Sequence, residues 1–171
     1  MTTNRPQPGD YIPYQTMYID TVGDGDVVDL LNQQYDSLST FLRSIPESKA
    51  LYAYAPGKWT VNQVVGHLTD TERIMAYRLL RFSRKDSNPL PGFEQDDYVA
   101  NAHFNEMNLG DLIEEFIAVR KANLYLFNSL TNGQKAQSGI ASGNRVTVNA
   151  FLYVIAGHAN HHVNILKEKY L

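Results

Sequence analysis

The sequence contains no cysteine. That excludes disulfides, thiolate-held zinc and a cysteine nucleophile on the chain itself. Any metal ion would have to be held by histidine, aspartate or glutamate, and any thiol chemistry would need a thiol brought by a substrate. A basic excess is also missing: 15 Lys and Arg against 18 Asp and Glu give a formal net charge of −3, without the clustered cations of a nucleic-acid footprint. No run of about 18 apolar residues is present to span a bilayer. The first residues, MTTNRPQPGDY, lack the apolar core of a secretory signal. The expectations are no nucleic-acid partner, no membrane association and a cytoplasmic location.

What is present is an ordinary globular composition, 43% hydrophobic and 19% charged over 171 residues, enough for a substantial core in a single domain spanning 1–171. Four segments carry a helical period. Val27, Leu31, Tyr35, Leu38, Leu42 and Ile45 recur at three and four residue steps, ending before Pro46. A second segment opens at Thr60 with Gln63 three residues on, the spacing of a capping box, and carries Val61, Val64, Val65, Leu68, Met75, Leu79 and Phe82. A third follows Asn108, and a fourth runs from near Thr147 almost to Leu171. No strand-like alternation is sustained. These features predict an all-α fold, a four-helix bundle. Residues 1–23, with Pro6, Pro8 and Pro13, read as an extended arm wrapping the surface. SNPLPGFEQDDYVANAHFNEMN and TNGQKAQSGIASGNRV read as loops, the first long enough to suggest a functional role.

The fourth segment contains GHANHH, three of the five histidines within six positions. On an ideal helix, His162 falls about 40° from His158, and both lie among Phe151, Ile155 and Ile165. His161 falls about 60° the other way, toward the polar margin. Two imidazoles one turn apart on an apolar face need partners. A metal ion is one, since neutral imidazole ligates first-row metals; side chains or water in an ordinary core are another. On the second segment, His67 sits at the edge of the apolar face, either as a third ligand or as a boundary histidine. Asp70 follows at i+3, either near the ion as ligand or orienting group or as a solvated carboxylate. Glu72 points toward the apolar flank and is a weaker candidate. Gly66 and Gly157 each precede a candidate ligand, where close approach by another helix or by a bound ligand is the reason expected for glycine. Trp59, just before the Thr60 cap, reads as an anchor for the helix start. His103 has no partner spacing and is left out of the metal set.

YAPGKWTVNQVVGHLTDTERIMAYR together with IAGHANHHVNILKEKYL resembles the DinB-like superfamily and, within it, the YfiT-like metal-dependent hydrolases. The resemblance extends to RPQPGDYIPYQTMYIDTV, LRFSRKDSNPLPGFEQDDYV and EEFIAVRKANLYLFNSL, and so to nearly the whole chain. It implies a bundle holding one divalent ion, nickel or zinc, through His67, His158 and His162, with water completing the shell. It also implies a homodimer, and relatives that transfer or isomerise with low-molecular-weight thiols. The chain departs from the family in KAQSGIASGN, where relatives place an aromatic residue; that loop is expected to border the pocket. An open three-histidine ion can lower the pKa of bound water to about 7 for hydrolysis, or hold an incoming thiol as thiolate for S-transfer. A metal-binding module without catalysis is the non-enzymatic alternative. Asp70 is the candidate for orientation or proton handling.

Overall fold

The computed structural model describes residues 5–171, and the first four residues of the arm lie outside the described residues. Four long helices make up the body: α2 (Val27–Arg43), α3 (Val61–Ser83), α5 (Leu109–Asn128) and α7 (Val148–Ile165). Shorter elements connect them, namely α1 (Thr16–Ile19), α4 (Gln95–Asn101), α6 (Asn132–Lys135) and the strands β1 (Ser138–Ala141) and β2 (Asn144–Thr147). α7 continues through one wider, π-type turn over Leu166–Tyr170. Helices α2 and α3 each pack against both α5 and α7, so the order around the bundle is α2, α5, α3, α7.

Local chemistry fixes the helix starts. Asp26 accepts from the amides of Val28 and Asp29 at the head of α2. Thr60 and Gln63 form the expected capping box on α3, and Thr147 accepts from the Ala150 amide on α7. The start of α5 is capped from outside: Asn108 makes no side-chain cap bond, and Glu47, before α3, accepts from the amides of Leu109 and Gly110.

The interior is divided by height. One apolar cluster gathers Val28 and Leu31 of α2, Met75, Leu79 and Phe82 of α3, Leu124 and Phe127 of α5, and Phe151 through Ala156 of α7. A second gathers Leu38 and Leu42, Val64, Val65 and Leu68, Leu112, Phe116 and Ile117, then Ala159 and Leu166. Each fully buried Phe or Leu in these clusters contributes about 1.5–3 kcal/mol relative to exposure. Between the clusters every long helix turns a polar side chain inward: Gln34 on α2, Thr71 and Glu72 on α3, Arg120 on α5 and His158 on α7, with His67 and His162 just beyond them on the side of the second cluster. The interior is therefore two apolar cores with a polar layer across the middle.

Three sequence expectations are corrected. The arm is not extended throughout, since Pro13–Gln15 form a 3₁₀ turn leading into α1, which packs on α7. The long connection after α3 holds α4, too short and too rich in Asp and Asn to show a helical period. The loop before α7 forms an antiparallel hairpin, β1 with β2, turned by Ser142 and Gly143 at φ of 50° and 75°. Two positive φ values in a row are the signature of a type I′ turn, which matches the twist of paired strands. Four-residue strands are too short for their alternation to register.

Candidate metal centre

His67 lies on the second turn of α3 and faces α7, where His158 and His162 are presented one turn apart. Each offers a ring nitrogen, and these three nitrogens lie within 4.8 Å of one another. His67 Nε2 and His158 Nε2 are 3.0 Å apart. The ring centroids stand 4.6–4.9 Å from each other. All three side chains are buried, at 3%, 6% and 8% exposure. A tetrahedral ion with metal–nitrogen bonds near 2.0–2.1 Å holds its ligand nitrogens roughly 3.3 Å apart, close to the spacing of the first pair.

Burial sets the protonation state. It pushes His67 down to about 4, with the neighbouring His161 adding to the effect. His162 falls to about 3, from burial first and then from His67 and His161. His158 is held well below its ordinary value by burial, then by the other three histidines and finally by Arg120. All three are neutral at pH 7, the form that ligates a metal. Two of the neutral rings could share one hydrogen bond. The His162 ring stands against the rings of His67, His158 and His161. A divalent ion fits this donor set, three neutral ring nitrogens within 4.8 Å of one another and no carboxylate in the group.

The surrounding side chains hold the rings in place. Thr71 Oγ1 lies 3.4 Å from His67 Nδ1, so with Nε2 directed at an ion the Nδ1–H donates to that hydroxyl. The Trp59 ring stands 4.8 Å from His67. Tyr18, carried by α1, sets its ring edge-on to both His158 and His161, at 5.3 and 5.4 Å. The two glycines are explained by close approach. A Cβ on Gly157 would lie 2.0 Å from the Tyr18 carbonyl oxygen, where α1 crosses α7, and one on Gly66 would lie 2.5 Å from the Phe104 ring.

Two cavities, each of about 330 Å³, reach the histidines. One is walled by Tyr14, Tyr18, Met75 and Phe93 and has His67 and His158 at its floor. The other is walled by Tyr54, Trp59 and Tyr170, with Lys58 at its side, and reaches His162. Gln95 and Asp96, the first turn of α4, border both. The connection after α3 thus forms the partition between the cavities, whereas the β1–β2 hairpin lines neither and does not border the site as expected.

The other sequence candidates fall outside the group. His161 is half-buried against Tyr18 and the His162 ring. His103 is exposed, with Nδ1 3.3 Å from Glu106. Asp70 is not part of the histidine cluster. Its carboxyl is raised by burial, lowered by Arg73 and raised again by Glu115 of α5, so its charged neighbours lie on the α5 flank of α3. Glu72 is buried against Arg120, a pairing sequence reasoning missed because Arg120 lies in a helix whose period shows only its apolar residues. Thr71 was missed as well, although a hydroxyl four residues after a histidine is the spacing that permits this contact.

No curated protein matches the sequence. Among solved structures, the chain is similar to YfiT from Bacillus subtilis, described as a probable metal-dependent hydrolase with an unusual four-helix bundle topology. That match has a TM-score of 0.73 at 16% identity and covers 97% of this chain and 91% of that one. It is also similar to a mycothiol-dependent maleylpyruvate isomerase, with a TM-score of 0.69 at 9% identity over 85% of this chain and 61% of the isomerase. Identities this low establish a shared fold. The family model of the DinB superfamily matches residues 30–166, most of the chain and all three clustered histidines, and the protein belongs to that superfamily.

Proposed function

We propose that the protein is a divalent-metal-dependent hydrolase in which His67, His158 and His162 hold one zinc or nickel ion. The observation that carries this reading is the convergence of three buried neutral imidazoles at the meeting point of two cavities. A bound divalent ion would act as a Lewis acid and make water nucleophilic near neutral pH. The chain's own residues orient and exclude. Thr71 fixes the His67 ring through Nδ1, and Tyr18 and Trp59 cover the ring faces and keep bulk water from the ligands. The aromatic and apolar walls of the cavity over His67 and His158 bind the uncharged part of a small substrate. Asp70, three residues after His67 and with its proton affinity raised by burial, is the proton-handling candidate. We place the protein in the cytoplasm as a homodimer.

A second reading is S-transfer from a low-molecular-weight thiol. Two cavities meeting at one ion suit two reactants, the cysteine-free chain would need a diffusible thiol, and one structural neighbour is a thiol-dependent isomerase. The test is turnover by zinc- and nickel-loaded protein on ester and amide panels, and on electrophiles with and without an added thiol. Hydrolysis without thiol supports the first reading. Turnover only with thiol selects the second, and neither activity in metal-loaded protein leaves a binding module.

A further inference from the structure

The polar layer contains a second constellation beside the histidines. Arg120 donates from Nε and Nη2 to the two carboxylate oxygens of Glu72, at 2.7 and 2.9 Å. Both side chains are buried, at 1% and 4% exposure. The remaining guanidinium nitrogen, Nη1, donates to Gln34 Oε1 at 2.6 Å. Gln34 Nε2 in turn donates to the Ala156 carbonyl at 2.9 Å and to Asn160 Oδ1 at 2.7 Å. The chain of contacts therefore begins on α3 five residues after His67, crosses α5 and α2, and ends on α7 on both sides of His158.

Stability alone does not account for this pair. Taking a guanidinium and a carboxylate out of water is costly, and apolar residues of similar volume often serve a bundle as well or better. Leucines would, however, allow α3 and α7 to slide, because dispersion contacts have no fixed direction. A bidentate guanidinium–carboxylate pair fixes distance and angle together. The charges are also balanced toward a cation. Three neutral histidines bring no negative charge to the site, and an unpaired Arg120 in the same layer would oppose a dication; Glu72 cancels it.

We infer that Glu72, Arg120 and Gln34 form a positioning clamp that holds His67 of α3 and His158 of α7 at metal-binding distance. This inference rests on the proposed metal site. None of the three touches the ion or substrate; they are positioning residues that act through the helix backbones.

The test is zinc affinity of metal-free protein, measured by competition with a chromophoric chelator, together with the visible spectrum of the cobalt(II) form. Wild type is compared with Glu72→Gln, Gln34→Leu and the paired Glu72→Leu/Arg120→Met. Melting of each metal-free protein serves as the fold control. The expected result is zinc binding weakened 10- to 100-fold, the range typical for partners that orient metal ligands, with a changed cobalt spectrum and cooperative melting retained. Folded variants that bind zinc within twofold of wild type would overturn the clamp and leave a structural ion pair. Should the paired variant fail to fold, Gln34→Leu decides, since Gln34 is only half-buried and its loss leaves the ion pair intact. Wild type that binds no zinc or cobalt would end the metal reading itself, an outcome visible before any variant is made.

Discussion

The two apolar cores and the polar layer between them are built on the same four helices, yet they follow opposite rules. In the cores, Phe82, Phe116, Phe127 and Phe151 are almost wholly buried, and each contributes to stability through area removed from water. In and beside the layer, three histidines, a glutamate and an arginine are buried as well, although desolvation opposes each of them. A fold selected for stability alone has no need of such a layer. It sits at mid-height, where all four long helices contribute, and adjoins the histidine cluster on which the proposed function rests.

Core and layer should therefore fail in different ways. Phe151→Ala is expected to cost about 3–5 kcal/mol of unfolding free energy through lost transfer energy and cavity formation. At low temperature it should still bind metal, and denaturant melts with a zinc titration check both halves. The layer should fail in acid. Unfolded histidine titrates at the ordinary 6.5, whereas folded His67 is at about 4 and His162 at about 3. Below 6.5 the unfolded chain takes up protons that the folded, metal-free chain refuses. Stability is therefore complete above pH 6.5 and is lost as pH falls toward 4, on the order of 3 kcal/mol for His67 alone. Urea melts of metal-free protein between pH 7 and 4 measure this, and His67→Ala should flatten the dependence. Stability unchanged over that range would mean the rings are not buried neutral.

The smallest expected effect lies outside both regions. Glu47→Ala removes the carboxylate that caps α5 from the neighbouring segment and should cost about 1 kcal/mol. Metal content should not change. A shift in metal affinity with this variant would show that the layer is less independent of helix ends than its geometry implies.

Much of the core was legible in the sequence because helical periodicity records burial directly. The Thr60 and Gln63 cap, the four long helices and the inward turn of His158 and His162 all follow from spacing along one helix. So does the separation of His161 from them. The glycines before His67 and His158 pointed to close approach, although not to which elements approach: Phe104 at Gly66 and α1 at Gly157. What could not be read joins different helices. Arg120 meets Glu72 across 48 positions and Gln34 meets Ala156 across 122, and no local pattern encodes such pairings. Trp59 read as a helix anchor because its contact with His67 arises only when the helix start folds over the site. The hairpin and α4 were too short for their periods to rise above the loop composition around them.

The central claim is that three particular histidines hold one metal ion. Elemental analysis of untagged protein purified without chelator, wild type beside His162→Ala and His161→Ala, tests it most directly. The expected result is close to one divalent ion per chain in wild type and in His161→Ala, and loss of that ion in His162→Ala, with all three proteins folded. Metal retained by His162→Ala but lost from His161→Ala, or no metal in wild type, would contradict it.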